Sequence, residues 1–337
     1  MADRSVDHTG AGLGAPQLRA GLEAFLSAEL GCAVEVSDLA LVSSVGNARE
    51  PWSFTATWPG GRERCVLLAK AAAGQLETAL RPEFATIAAL AGTGVPVPRA
   101  LWLDESGRWI GRAFFVTAWC PGSAETRSLR RPGPQAWARQ AAIELASAAA
   151  RLHQVPVDGF DWLAPCTVED AAAIQLASWR AVFERQRLEP HPALVYAFAW
   201  LEARLPRAAR ISVVHGDLRF GNLLADDGHV TALLDWEMVH LGDPVEDLGW
   251  VYRALWTPER SLPFEDFLAA YGAAGGAVPE PEHLRWYQVF GEVKHSVISL
   301  TAARSFADGA TTSLRHADRA ATVPAFMRRL WELVSSC

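Results

Sequence analysis

The chain has 337 residues, half of them hydrophobic and a fifth charged, which is a globular balance with length enough for two lobes and a large core. A net charge of −7 argues against a nucleic-acid binder, and no apolar run reaches membrane-spanning length. The start, Met1 to Ser5, lacks the apolar centre of a signal peptide, and the five scattered cysteines have neither zinc nor disulfide spacing, so a reduced, cytoplasmic protein is expected.

Residues 1–15 read as a flexible tail; Gly10, Gly12 and Gly14 mimic a dinucleotide fingerprint, but no strand precedes them. Residues 16–30 have helical spacing through Leu18, Leu22, Phe25 and Leu30. Three strands are expected at 39–45, 52–58 and 64–70, with Pro59-Gly60-Gly61 as a turn. A helix at 76–91 follows, closed by Gly92 and Gly94, and then strands at 97–103 and 113–119. Residues 16–119 therefore read as a β-rich N-lobe. Residues 120–337 read as a helical C-lobe, with helices at 134–152, 168–186, 192–205, 244–255, 264–271, 280–303 and 317–334. Its strand-like interruptions, 212–214 and 230–235, surround the residues that carry the chemistry.

That segment, Val213 to Trp250, reads VVHGDLRFGNLLADDGHVTALLDWEMVHLGDPVEDLGW. Asp217 is followed five residues later by Asn222, and Asp235 ends an apolar run. The order and spacing are those of a phosphoryl-transfer site. One carboxylate, Asp217, orients the accepting hydroxyl, while the amide oxygen of Asn222 and the carboxylate of Asp235 hold Mg²⁺ on the phosphates of ATP. Singly, each would be a turn residue or a cap; together they predict an α+β, bilobal, protein-kinase-like fold.

The stretches HGDLRFGNLL, LLDWE and GDPVEDLGW resemble the aminoglycoside phosphotransferase-like family of small-molecule kinases. The resemblance is nearest to the branch related to the kinase domain attached to acyl-CoA dehydrogenases, and it covers most of the chain from the first helix onward. It implies that His215 holds the catalytic loop and that Asp247 braces it. Asp-Trp-Glu stands where protein kinases have Asp-Phe-Gly, and Arg219 stands where they often carry a lysine, placed to stabilise charge on the transferred group.

In the N-lobe, Lys70 ends a strand where kinases keep the lysine that grips the α- and β-phosphates, and Glu83 on the next helix is its expected partner. Lysine is scarce here, with Lys294 the only other, so each lysine calls for a reason. The alternative register would turn Ala69 inward instead. Gly46 and Asn47 are the candidates for main-chain contact with phosphate, and the hinge at Thr117 and Trp119 for main-chain contact with adenine.

The acceptor has no motif. Trp179, Phe183, Trp250, Trp256, Trp286, Tyr287 and Phe290 fall on the C-lobe helices; most of them read as core, and the remainder favour a small molecule with an apolar body and one hydroxyl. The resemblance points the same way, to a hydroxyacyl compound. Two readings stand beside it: an antibiotic phosphotransferase acting on an aminoglycoside or macrolide, and a nucleotide-binding pseudokinase. No nucleic acid or membrane partner is expected.

Overall fold

Pro16 and Gly31 bracket the first helix. Proline's fixed φ suits the opening turn, and Gly31, at φ 67°, ends it. In the computed structural model, which describes residues 14–42, 49–70, 78–124, 135–253 and 256–335, this helix is α1, Ala15–Leu30. The five strands that follow are β1 (Glu35–Leu41), β2 (Arg49–Trp58), β3 (Gly61–Lys70), β4 (Ala100–Asp104) and β5 (Phe114–Ala118). They form one antiparallel sheet in the order β1-β2-β3-β5-β4, with α2 (Leu80–Leu90) connecting β3 to β4.

Strand alternation gives the sheet two apolar faces. Phe54, Ala56, Cys65, Leu67 and Ala69 bury against Leu18, Leu22 and Phe25 of α1. The opposite parity carries Leu68, which packs with Phe84 and Phe115 against the larger core shared with the C-lobe. Strand β1 lies four residues earlier than expected: Asp38, at φ 53°, sits in an irregularity between Ser37 and Ala40 that shifts the pairing.

The C-lobe contains α3 (Ala136–Gln154), α4 (Ala171–Gln186), α5 (Pro192–Glu202), α6 (Val245–Val251), α7 (Phe264–Ala273), α8 (Pro281–Ala307), α9 (Leu314–Asp318) and α10 (Val323–Ser335). Four short strands interrupt them. β6 (Ser212–Val214) pairs with β9 (His240–Gly242), and β7 (Leu223–Asp226) forms a hairpin with β8 (His229–Leu233). Asp227 and Gly228 both have positive φ, as that tight hairpin turn requires. β7 and β9 were not anticipated, because three or four residues are too few to establish a period.

The helix expected at 317–334 is broken into α9, a 3₁₀ turn at Arg319–Thr322, and α10. Pro324 has no N–H and fits only the first turn of a helix, so α10 must start there. Helix α8 is buried on nearly every side from Val289 to Ala303 and forms the axis of the lobe. The lobes meet at specific bonds. The Leu233 N–H donates to the Pro96 carbonyl at 2.7 Å, and the Trp162 indole donates to Thr86 Oγ1 at 3.0 Å.

Candidate active site

The loop after β6 is shaped from beneath by buried polar groups. Asp247 on α6, fully buried, accepts the N–H of His215 at 2.8 Å and of Gly216 at 2.9 Å, with His153 Nε2 at 3.1 Å. Burial alone would raise its carboxyl; the His153 hydrogen bond and the neighbouring histidines outweigh it and hold the group below the ordinary range. Gly216 has φ 79°, and a Cβ there would lie 2.5 Å from the Met238 carbonyl oxygen, so no other residue fits. The second lysine accounts for itself here: Lys294 of α8 donates to the Gly216 carbonyl at 2.5 Å and to Glu246 at 2.9 Å.

His215 is buried and sits between the loop and the hairpin. Its Nδ1 accepts the Asp217 N–H at 3.2 Å, which leaves Nε2 to donate to the Leu234 carbonyl at 3.1 Å. Burial pushes its pKa down, in keeping with that neutral tautomer, and its ring lies 4.4 Å from that of Trp236. Both hydrogen bonds of its ring are to backbone.

Asp217 has three donors. Asn222 Nδ2 reaches Oδ2 at 2.6 Å, Arg219 Nε reaches both oxygens at 3.0 Å, and the Trp250 indole reaches Oδ1 at 2.7 Å. The hairpin then doubles back: the Leu234 N–H donates to the Asn222 carbonyl at 2.7 Å, which brings Asp235 beside Asn222. Asp235 itself has φ 67°, a left-handed backbone in which Asp is one of the few tolerated side chains. Residues 217, 222 and 235 are thus brought together.

On the opposite side, carboxylates accumulate. Asp235 is pushed up to about 7, first by burial and then by the charges of Asp217 and Glu83. Glu237 is pushed up to about 8, by burial and then by Asp235. Glu83 is raised by burial too, and the N–H of Trp236 donates to it. Like charges enclosed together create a place where positive charge would relieve repulsion. Asp235, Glu237 and the Asn222 amide offer oxygen only, the donor set of a hard cation such as Mg²⁺.

The ion pair expected between Lys70 and Glu83 is replaced by another. Glu83, 3% exposed, pairs with Arg49 of β2: Nη2 lies 2.7 Å from Oε2, and Nε 3.1 Å from it. Arg49 also donates to Thr78 Oγ1 at 3.1 Å and lies 4.0 Å from Glu237. Its Cα is paired across the ladder with Lys70. Lys70 has the same parity as Leu68, away from α1, while Ala69 is the residue buried against α1. Lys70 itself is exposed. Arginine reaches farther than lysine and presents several donors, so it can hold Glu83 from the neighbouring strand. Nothing in the spacing singled out Arg49.

Gly46 and Asn47 lie outside the described residues. At the hinge, Thr117 is buried in β5, the Ala118 N–H donates to the Arg99 carbonyl, and the Trp119 N–H donates to the Arg64 carbonyl, both at 2.9 Å. Those two amides are committed to the sheet, and the Trp119 ring is covered by Arg64 at 3.9 Å. The C-lobe aromatics are core, as expected for most of them: Trp179, Phe183, Trp250, Trp256, Trp286, Tyr287 and Phe290 are all buried in the large cluster. Of those named, Trp250 and Trp256 reach the Asp217–Arg219 pair.

Comparison with known proteins bears on the family and the fold. Residues 48–287 match the model of the phosphotransferase enzyme family, and the chain belongs to that family. It is 31% identical over 202 residues to acyl-CoA dehydrogenase family member 10 of Mus musculus, covering 58% of this chain but only 19% of that much longer protein. A candidate aminoglycoside phosphotransferase from Ralstonia eutropha shares the fold with a TM-score of 0.72 and 24% identity, over 94% of this chain and 98% of that one. A thermostable mutant of the aminoglycoside phosphotransferase APH(4)-Ia, in a ternary complex with AMP-PNP and hygromycin B, shares it with a TM-score of 0.60 and 17% identity, over 93% and 98%. The expected α+β, kinase-like fold is the one found. No helix of the described residues is long and apolar enough to cross a membrane.

Proposed function

We propose that the protein transfers the γ-phosphoryl group of ATP to a hydroxyl of a small molecule, with hydroxyacyl compounds as the acceptor class. The observation that carries the reading is the buried Asp217–Asn222 hydrogen bond, 2.6 Å, with Asp235 set beside it by the β7–β8 hairpin. Asp217 takes the substrate hydroxyl and orients it. Asn222 spends its Nδ2 hydrogens on the Asp217 carbonyl and carboxylate, so its amide oxygen is left to meet a cation, alongside Asp235 and Glu237. Bound Mg²⁺ supplies charge neutralisation on the phosphates. Arg49, steadied by Glu83, supplies the cleft-facing cation of the N-lobe, with Lys70 as its cross-strand neighbour. Gly46 and Asn47 are proposed for main-chain contact with phosphate, and the hinge at Thr117 and Trp119 for adenine, where Trp119 has only its carbonyl to offer because its N–H donates to the Arg64 carbonyl. Arg219 lies where it would meet either the transferred group or the acceptor. Likeness to the acyl-CoA dehydrogenase relative supports the hydroxyacyl class.

The test is Mg²⁺-dependent ADP release in wild type beside Asp217→Asn, over hydroxyacyl, aminoglycoside, macrolide and choline-like acceptors. Asparagine keeps the shape that Trp250 and Arg219 pack against. Turnover should fall roughly 10²–10⁴-fold while nucleotide affinity holds. Near-normal turnover in the variant would remove Asp217 from the reaction, and Mg-ATP binding without turnover on any acceptor would favour a pseudokinase.

A further inference from the structure

The two sides of Asp217 carry opposite charge. Glu83, Asp235 and Glu237 crowd the nucleotide side. The other side gathers arginines from three elements: Arg219 in the catalytic loop, Arg253 just beyond α6, and Arg319 in the 3₁₀ turn before α10. The guanidinium of Arg219 lies 5.2 Å from the Trp256 ring centroid, and that of Arg253 lies 5.9 Å from the same ring. Arg319 is half-buried, and its charge acts on both Arg219 and Asp217. Burial and then Arg253, Arg319 and Arg219 hold His295 far below its usual value, so no further cation arises there at neutral pH.

Counter-charges do not balance this group. Glu292 answers Arg253 at 2.6 Å, and Asp217 answers Arg219 at 3.0 Å. Among the described residues no carboxylate forms an ion pair with Arg319, and Nε and Nη1 of the buried Arg253 have no hydrogen-bond partner. Three arginines against two carboxylates leave an excess of positive charge whose cost an arriving anion recovers. The Trp256 ring, 9% exposed, is the apolar group beside them.

From this arrangement, and resting on the phosphotransferase reading, we propose that the acceptor is an anionic alcohol. Its carboxylate or phosphate docks at Arg219 and Arg319, its carbon chain lies along Trp256, and its hydroxyl reaches Asp217. Such an anion competes with Asp217 for Arg219. The departure of Arg219 opens accepting capacity on the Asp217 carboxylate, which Asn222 and Trp250 still hold in place, for a substrate hydroxyl, so binding the charged end prepares the reacting end. A polycation such as an aminoglycoside would meet the arginines and be repelled.

The experiment measures binding by calorimetry, with and without Mg-ADP, so that it stands apart from turnover. The probes are medium-chain alcohols alike except at the far end: carboxylate, phosphate monoester, neutral amide or ammonium. One anionic member should bind at least about tenfold tighter than the amide, and the ammonium compound weakest of all. Whether carboxylate or phosphate binds tighter identifies the anion. In Arg319→Gln the anion's advantage should shrink to about twofold, and Arg319→Glu should reverse it. Arg319 is on a short surface turn, and far-UV circular dichroism checks folding. Equal affinity for amide and anion, preference for ammonium, absence of anion binding, or an advantage that survives both substitutions would each overturn the proposal. Anion binding that persists where Mg-ADP fails to bind would instead count against the phosphotransferase reading.

Discussion

Arg49 and Glu83 form an ion pair with almost no solvent contact, and removing Arg49 leaves a buried carboxylate without its cation. Arg49→Ala should cost about 3–5 kcal/mol in urea unfolding. Arg49→Met combined with Glu83→Met should restore most of that stability, since a well-packed apolar pair often replaces a buried ionic one at no loss. If Arg49 serves the nucleotide, the double variant will be stable yet bind Mg-ATP at least about tenfold more weakly, whereas Lys70→Ala will cost less. Restored affinity in the double variant would reduce Arg49 to a structural role. Asp235 carries the contrary strain. Its folded pKa of about 7 lies above the ordinary 3.8, so its favourable contribution is complete below pH 3.8 and is lost as pH rises through 7. Asp235→Asn keeps a side chain that tolerates positive φ and removes the charge. In chelator at pH 8 it should stabilise the protein by about 1–2 kcal/mol, a figure reduced because Asp235 is only half-buried by surface. A variant less stable than wild type under those conditions would refute the repulsion argument.

The elements meet where α8 crosses α6 and the catalytic loop. Gly249 lets α6 approach closely, since a Cβ there would fall 2.7 Å from Tyr287. Lys294 then bridges Glu246 of α6 and the Gly216 carbonyl, while His240 of β9 lies 3.2 Å from Glu246. Burial alone would raise Glu246; Lys294 and His240 outweigh it and hold the carboxyl at about 2, against an ordinary 4.5. The sign follows from linkage. A depressed carboxyl stabilises the fold fully above pH 4.5, and that stability drains away as pH falls toward 2. The contribution is on the order of 3 kcal/mol. Urea unfolding at pH 5 and pH 3 should therefore show a smaller acid loss in Glu246→Gln than in wild type. An unchanged loss would place the acid-sensitive group elsewhere. Those three residues share no local sequence pattern, so the place of Lys294 beneath the loop is visible only in the fold.

At the scale of the whole molecule, the site lies between lobes whose groups come from both: Arg49 and Glu83 from one, Asp217, Asn222, Asp235 and Glu237 from the other. A Mg-nucleotide bound across them should stabilise the native protein by about 2.7 kcal/mol at a hundred times its Kd. Asp235→Asn should lose most of that increment, even while it is the more stable protein in chelator. Thermal unfolding with and without Mg-AMP-PNP reads both effects, and equal ligand stabilisation in the two proteins would take Asp235 out of the metal site.

The local chain determined a good deal by itself. Val213 to Trp250 places a loop, a hairpin and a helix start in succession, so that contacts among Asp217, Asn222 and Asp235 span fewer than twenty residues and are readable as spacing. The alternating strands and periodic helices were legible for the same reason: one face of each must be apolar. What tertiary structure decided were pairings across long separations. Glu83 pairs with Arg49 rather than with Lys70, which stands directly opposite Arg49 on the next strand, and no local spacing connects residues 49 and 83. Lys294 came beneath Gly216, and Arg219, Arg253 and Arg319 came together, because helix packing joins segments that no local period connects. Charge balance on each side of Asp217 is a sum over such distant neighbours, and so the character of the acceptor site is a property of the folded molecule.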